Sequence, residues 1–445
     1  MRGLKSTLAL LIVLVGLGAY IYFVASKPKE DTASKQEKVF ASFATDKVSE
    51  LKVKAASGDV TSLKKDGETW KIVSPITEKA ADSEVSGLTS ALEQVDIARV
   101  VDENPASLKE FGLDSPQVEV EFKSSDGKSN GRLLLGEKNA TGGNVYARRN
   151  DEKRVFLIPA YHQASLNKST FDLRDKTLMT FARDKVDGVE VATGSDTVVI
   201  AKAGNGWKLT RPLSAAADES IVDSIISRLE SAQMKSIVGE ATPADLKKDG
   251  FDKPAVTATL NLGSAKATLV IGGKSGDDAF YARDSSKSTI VTVEKALVDD
   301  LTKKVDDYRR KDVFEGRAFT INHVELAGGG KTLAFDRVKG KDDTSPDTFR
   351  KTGTTTDLDK DKVQNLLTGL ADIRATSFTS SRAGTGLDSP VLTVTFKFDD
   401  NKKEEKVVFG KGGKDAYAST SDPGAAKIDA DKLDEALKTF QELTK

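Results

Sequence analysis

The sequence predicts an α+β protein: one N-terminal transmembrane helix, followed by three tandem copies of a module built on mostly antiparallel sheet. Three observations predict it. Residues 6–26 form an apolar run with no charge between Lys5 and Lys27. A motif Phe-Ala-x-Asp-Lys-Val at Phe43–Val48 returns at Phe181–Val186 and, weakened, at Phe319–Val324, with 138 residues between successive Phe positions. Within each copy, apolar alternation of period two is interrupted by one stripe of helical period.

The apolar run is long enough, as a helix, to cross the ~30 Å hydrocarbon core. Tyr20 and Tyr22 lie toward one end, where an interfacial aromatic belt would sit. The run is longer than the apolar region of a cleaved signal peptide, and Val24-Ala25-Ser26 is a poor cleavage site. We therefore expect a signal anchor over 1–26. A polar linker over 27–39 follows. Basic residues flank the segment on both sides, so the short N-terminal tail decides orientation. It is the simpler part to leave in the cytoplasm, which places the body outside the cytoplasmic membrane.

Modules are expected over 40–177, 178–314 and 315–445, the last most diverged. Trp70-Lys71-Ile72 with Pro75 matches Trp207-Lys208-Leu209 with Pro212; the third copy has Phe349-Arg350-Lys351. One helical stripe follows in each copy: Val85, Leu88, Leu92, Val95; Val222, Ile225, Ile226, Leu229; Val363, Leu366, Leu367, Leu370. Asp82, Asp218 and Asp359 precede these stripes as expected N-caps. A turn comes next, Gly112-Leu113-Asp114-Ser115-Pro116, matched at Gly250–Pro254 and Gly386–Pro390. Gly supplies a positive φ there and Pro starts the extended run. Alternating residues such as Val118, Val120 and Phe122 then mark a strand with one buried face. Hairpins lead from Gly136, Gly272 and Gly410 to Tyr146, Tyr281 and Tyr417. A further strand precedes closing helices over Tyr161–Leu166, Glu294–Asp307 and Asp431–Leu443. Each unit reads β-β-β-α-turn-β-β-β-β-α. Arg174-Asp175-Lys176 and Arg309-Arg310-Lys311 are expected to be connectors, solvated or in salt bridges.

The chemistry is sparse. Lys+Arg is 67 against 68 Asp+Glu, so no basic surplus points to nucleic acid. Aromatics are only 6%, which argues against a stacking platform. With no cysteine there is no disulfide, thiolate metal site or thiol nucleophile. His162 opens a closing helix. His323 aligns with Lys47 and Lys185 and is expected to be an exposed polar residue. Gly328-Gly329-Gly330-Lys331-Thr332 resembles a phosphate loop, but Glu325 stands where the first Gly is needed, so a hairpin is expected. Ile271–Ser275 fails in the same way. Asp114, Asp252 and Asp388 are expected to make Asx turns. Trp70 and Trp207 are expected in the core rather than as sugar platforms. No catalytic, cofactor-binding or metal residue is expected, and no motif points to a small-molecule substrate.

Trp70, Pro75, Gly112, Leu113, Asp114, Pro116, Gly136, Tyr146, Arg148 and Leu173–Lys176, with their second-copy equivalents, resemble a bacterial family known as domain of unknown function 4340. The third copy lacks the Trp and the Arg after Tyr417. Members of that family carry one N-terminal anchor and tend to be encoded beside gliding-motility-type ABC transporter components. The resemblance implies a non-enzymatic accessory subunit of such a transporter, held in the bacterial inner membrane by residues 6–26 with a periplasmic body. An independent envelope protein that binds glycan or peptidoglycan is the alternative.

Overall fold

The computed structural model describes residues 37–445 apart from 128, 341–345 and 421–423. The expected anchor over 1–26 and most of the linker lie outside the described residues. Among the described residues, no helix is long and apolar enough to cross a membrane. The chain forms two compact units that divide between Lys176 and Thr177. The first holds one sheet and the second holds two.

In the first unit the strands are β1 (Val48–Lys54), β2 (Val60–Asp66), β3 (Thr69–Ser74), β4 (Glu78–Lys79), β5 (Arg99–Asp102), β6 (Val118–Ser124), β7 (Asn130–Lys138), β8 (Asn144–Arg149) and β9 (Val155–Pro159). Their order in the sheet is β4-β3-β2-β1-β6-β7-β8-β9-β5. The pairings are antiparallel throughout, since each strand but β6 and β5 follows its neighbour by a short connection. The helix Asp82–Gln94 buries Val85, Leu88 and Leu92 in one core with Leu51, Val120, Phe122 and Leu133.

The second unit repeats this order. Strands β10 (Gly188–Thr193), β11 (Asp196–Ala203), β12 (Gly206–Arg211), β13 (Ala215–Ala216), β14 (Ser236–Glu240), β15 (Val256–Leu262), β16 (Ala265–Lys274), β17 (Ala279–Asp284) and β18 (Thr289–Glu294) form a sheet ordered β13-β12-β11-β10-β15-β16-β17-β18-β14. Strands β19 (Ile321–Gly328), β20 (Lys331–Val338), β21 (Thr348–Lys351), β22 (Ala375–Thr379), β23 (Leu392–Phe398), β24 (Lys403–Gly412), β25 (Asp415–Ser419) and β26 (Ala425–Ile428) form another, ordered β21-β20-β19-β23-β24-β25-β26-β22. The helices Glu219–Glu230 and Lys360–Ala371 bury the stripes that the sequence marks. The protein is thus an α+β chain of three antiparallel sheets.

The glycine motifs have a common cause. Gly112, Gly250 and Gly386 take φ of 66°, 81° and 72°. A side chain at Gly136, Gly272 or Gly410 would overlap the backbone of Phe111, Asp249 or Gly386. The turn lies directly on the start of the hairpin, and only glycine leaves room for that crossing. The Gly329-Gly330 pair turns β19 into β20 with both φ positive, as a two-residue hairpin requires.

Several expectations need correction. Asp82 is not an N-cap; Ala81 holds that position, and the Asp82 carboxylate accepts the Trp70 N–H at 3.0 Å. Asp218 and Asp359 do cap their helices. The closing helix of the second module runs only Lys295–Leu301, followed by a 3-10 turn at Val305–Asp307. Strands β5, β14 (Ser236–Glu240) and β22 (Ala375–Thr379), with the two-residue β4 and β13, are additions to the expected order. They lie at sheet edges, so few of their residues are buried and no alternation betrays them. Phe319 is 78% exposed and is not the counterpart of Phe43 and Phe181. Register fixes the true alignment: Leu51 faces Phe122, Val189 faces Leu260 and Val324 faces Phe396. Ile321 therefore matches Val48, and Gly316 stands where the first two copies have Phe. The ring comes instead from Phe398, which lies across from Ile321 and crowds Gly316.

Candidate docking site

The connectors organise the candidate site. In the first unit, residues 173–175 run as an added strand along the β4 edge. The Ala81 N–H donates to the Leu173 carbonyl at 2.8 Å, and the Asp175 N–H donates to Lys79 at 3.0 Å. The Arg174 Nη2 lies 2.5 Å from Glu78, and Lys79 lies 3.3 Å from Asp175. In the second unit the same two bonds recur. Asp218 N–H donates to Tyr308 at 2.8 Å, and Arg310 N–H donates to Ala216 at 2.9 Å. The segment then pairs with the third sheet, where Ala375 N–H donates to Lys311 at 2.7 Å and Val313 N–H donates to Ile373 at 3.1 Å.

Tyr308 and Arg309 of this connector are buried, while Arg310 and Lys311 are half-buried. Tyr308 is fully buried and its hydroxyl donates to the Leu301 carbonyl at 3.3 Å. Burial, with the charge of Asp307 beside it, pushes the phenol up to about 12. Arg309 is 3% exposed, so of the two expected states, solvated or in a salt bridge, it takes the second. Its guanidinium lies 3.6 Å from the centroid of the Phe378 ring and 3.3 Å from Asp306. The sequence carried one signal for this role: an apolar residue before Arg-x-Lys at both junctions, Leu173 and Tyr308.

Beside the connector lies a cleft of about 810 Å³, with Trp207, Asp218, Arg310, Arg317 and Arg374 among its walls. Its charges are spent on each other. Asp312 holds Arg317 at 2.6 Å and Arg374 at 3.1 Å, and Glu315 holds Lys403 at 2.6 Å. Glu405, nearby, accepts the N–H groups of Glu315 and Gly316 at 2.7 and 3.1 Å. Burial still raises its carboxyl above the ordinary range, against the pull of those N–H groups and of Arg310. The cleft offers one half-buried indole and no unbalanced field.

The residues singled out in the sequence do not converge. His162 is 4% exposed, and burial holds its imidazole below the ordinary range. His323 is not an exposed Lys equivalent. It matches Glu50 and Gly188 in register, is 13% exposed, and sits between Asp336 at 2.6 Å and Glu325 at 3.2 Å. Thr352 donates to the other oxygen of Asp336 at 2.7 Å. The carboxylate stands between hydroxyl and imidazole, so the imidazole does not face the hydroxyl as a general base would. Asp114, Asp252 and Asp388 are exposed, and the expected Asx bonds are not what closes their turns. Backbone bonds such as Leu113 N–H to Leu108 and Ser389 N–H to Gly386 do so. Trp70 is buried at 8% exposure, whereas Trp207 is only half-buried beneath Lys202. Among the described residues, no group of three or more His, Asp or Glu is arranged to hold a metal ion.

The family model described as "Domain of unknown function (DUF4340)" matches residues 70–208 and 207–390. Each matched segment starts at a Trp-Lys pair. No curated protein matches the sequence significantly.

Proposed function

This chain belongs to the DUF4340 family, and on that premise we propose that it is a non-enzymatic, membrane-anchored envelope protein serving as an accessory subunit of a gliding-motility-like ABC transport system. One observation carries the reading: the residues that recur between copies are consumed in building the fold. Glycines make crossings, stripes fill cores, and Arg-x-Lys segments pair with sheet edges. What remains at the surface suits contact with proteins better than chemistry. The anchor at 6–26 and a body outside the cytoplasmic membrane complete the proposal. Crosslinking and co-purification from membranes test it, and recovery of no transporter subunit overturns it. A phosphatase fusion at Lys445 tests orientation; an inactive fusion overturns the periplasmic placement.

A second reading, an envelope protein that binds glycan, draws on Trp207 at the wall of the cleft. Retention on purified cell-wall material that is lost in Trp207→Ala would favour it.

A further inference from the structure

The first two modules each receive an extended Arg-x-Lys segment along one sheet edge; among the described residues, none lies along the same edge of the third module. One bond fixes the equivalence. Ala80 N–H donates to Trp70 at 2.9 Å, Ala217 to Trp207 at 3.0 Å, and Leu358 to Phe349 at 2.8 Å. Asp357 therefore matches Lys79 and Ala216, and Asp359 matches Ala81 and Asp218. The bridge Arg350–Asp357 repeats the pairs Lys71–Lys79 and Lys208–Ala216. In such an antiparallel pair, flanked by the bonds Lys351 to Thr356 and Leu358 to Phe349, the N–H and C=O of Asp357 point away from β21 (Thr348–Lys351). The Asp357 carbonyl and the Asp359 N–H are the two groups that the other modules give to their connectors. Among the described residues neither has a backbone partner. Burial agrees: Ala80 and Ala217 are 0% and 3% exposed, whereas Leu358 is half-buried and Asp357 and Asp359 are exposed.

We propose that the edge Thr356–Asp359 docks an extended segment of a partner protein, of the pattern apolar-Arg-basic-Lys, by the backbone pairing that the chain uses twice within itself. The charge at the middle position follows from the register. Lys79 pairs with Asp175 at 3.3 Å, so the residue in that register meets the x of Arg-x-Lys. Here the register holds Asp357, which meets Arg350 at 2.9 Å and is still 57% exposed. A Tyr-Arg-Arg-Lys segment fits this edge; a Leu-Arg-Asp-Lys segment brings two carboxylates together. The third core is already closed by Phe440 from its own helix Ala430–Leu443, so pairing and charge carry the recognition.

The inference deepens the accessory-subunit reading and rests on it only for the source of the partner. The probes are two labelled synthetic peptides, residues 303–314 and 168–179 of this chain, titrated against the purified full chain by fluorescence anisotropy. One site per chain is expected for the first peptide, with binding about fivefold weaker for the second, in line with one surface charge pair. The deciding variant is Asp359→Pro. Its φ of −58° already suits proline, so it removes the N–H with little backbone change. It also removes the cap to Lys362, so Asp359→Ala, which keeps the N–H, is the control. Loss of binding in the Pro variant alone supports the site; unchanged binding, or no binding to the wild-type chain, overturns it. Peptide binding without any co-purified subunit would sink the accessory reading and leave the site standing. Loss of peptide binding with undiminished co-purification by Asp359→Pro would leave both standing and exclude the co-purified subunit as the source of the docked segment.

Discussion

The first and third modules solve the same packing problem with different residues. In the first, Phe40 and Phe43 both meet the ring of Phe122 edge-on, at 5.0 and 4.7 Å. In the third, Phe314 tilts over Phe396 at 4.5 Å, and the place of Phe43 is taken by Gly316. Phe398 fills that space from the neighbouring strand, where the first module has Ser124. The lesson is that the copies conserve a volume and a strand order rather than a residue. A side chain can be supplied from either side of the space it fills.

The largest expected effect breaks this exchange. Phe398→Ser should cost about 3–4 kcal/mol, because it empties a buried site. Gly316→Phe should cost about 1–3 kcal/mol by overpacking, since even a Cβ there would lie 3.1 Å from Phe398. The double variant restores the first module's arrangement and should be less destabilised than the sum of the two. Denaturant unfolding of the four proteins measures the coupling; strict additivity would refute the exchange.

The next effect should be equal in the two modules. Gly136→Ala and Gly410→Ala each push a methyl into the crossing backbone. Each should cost about 3 kcal/mol, as buried overpacking does. Hydrogen exchange followed by mass spectrometry should show the loss in the altered sheet. A tolerated substitution at either site would show that the crossing does not require these recurring glycines.

The stripes, the turn glycines and the connectors were legible because period, φ and the Arg-x-Lys spacing are local properties. The register of the third copy was also legible, by a different signal. Val48, Leu51, Val53 and Ile321, Val324, Leu326 share the spacing three then two, which marks the bulge in each first strand. The Phe-to-Val spacing at 319–324 imitated the repeat and hid that signal. It moved His323 three positions, from beside Asp336 to a notional lysine site. Edge strands were not legible, because a strand paired on one side with few buried residues has no period to read. Arg309 gave only a weak trace, since its guanidinium is covered by Phe378, 69 residues further along the chain.

The smallest effect separates the modules by pH. His162 in the first module has its imidazole lowered by burial, partly countered by Asp96 and reinforced by Lys38. Its unfolded form takes up a proton first, so the stability is fully present above about 6.5. It is lost as pH falls from there toward the folded value. In the third module burial raises Asp336, but the hydrogen bonds from Thr352 and His323 and the charge of His323 outweigh it, and the carboxyl ends below its ordinary range. Its contribution is present above about 3.9 and is lost only below that. Hydrogen exchange between pH 7 and 5 should therefore loosen the first sheet before the third, and His162→Gln should flatten the first sheet's response. If both sheets loosen together over that range, or the His162→Gln protein keeps the wild-type slope, burial of the imidazole is not what distinguishes them.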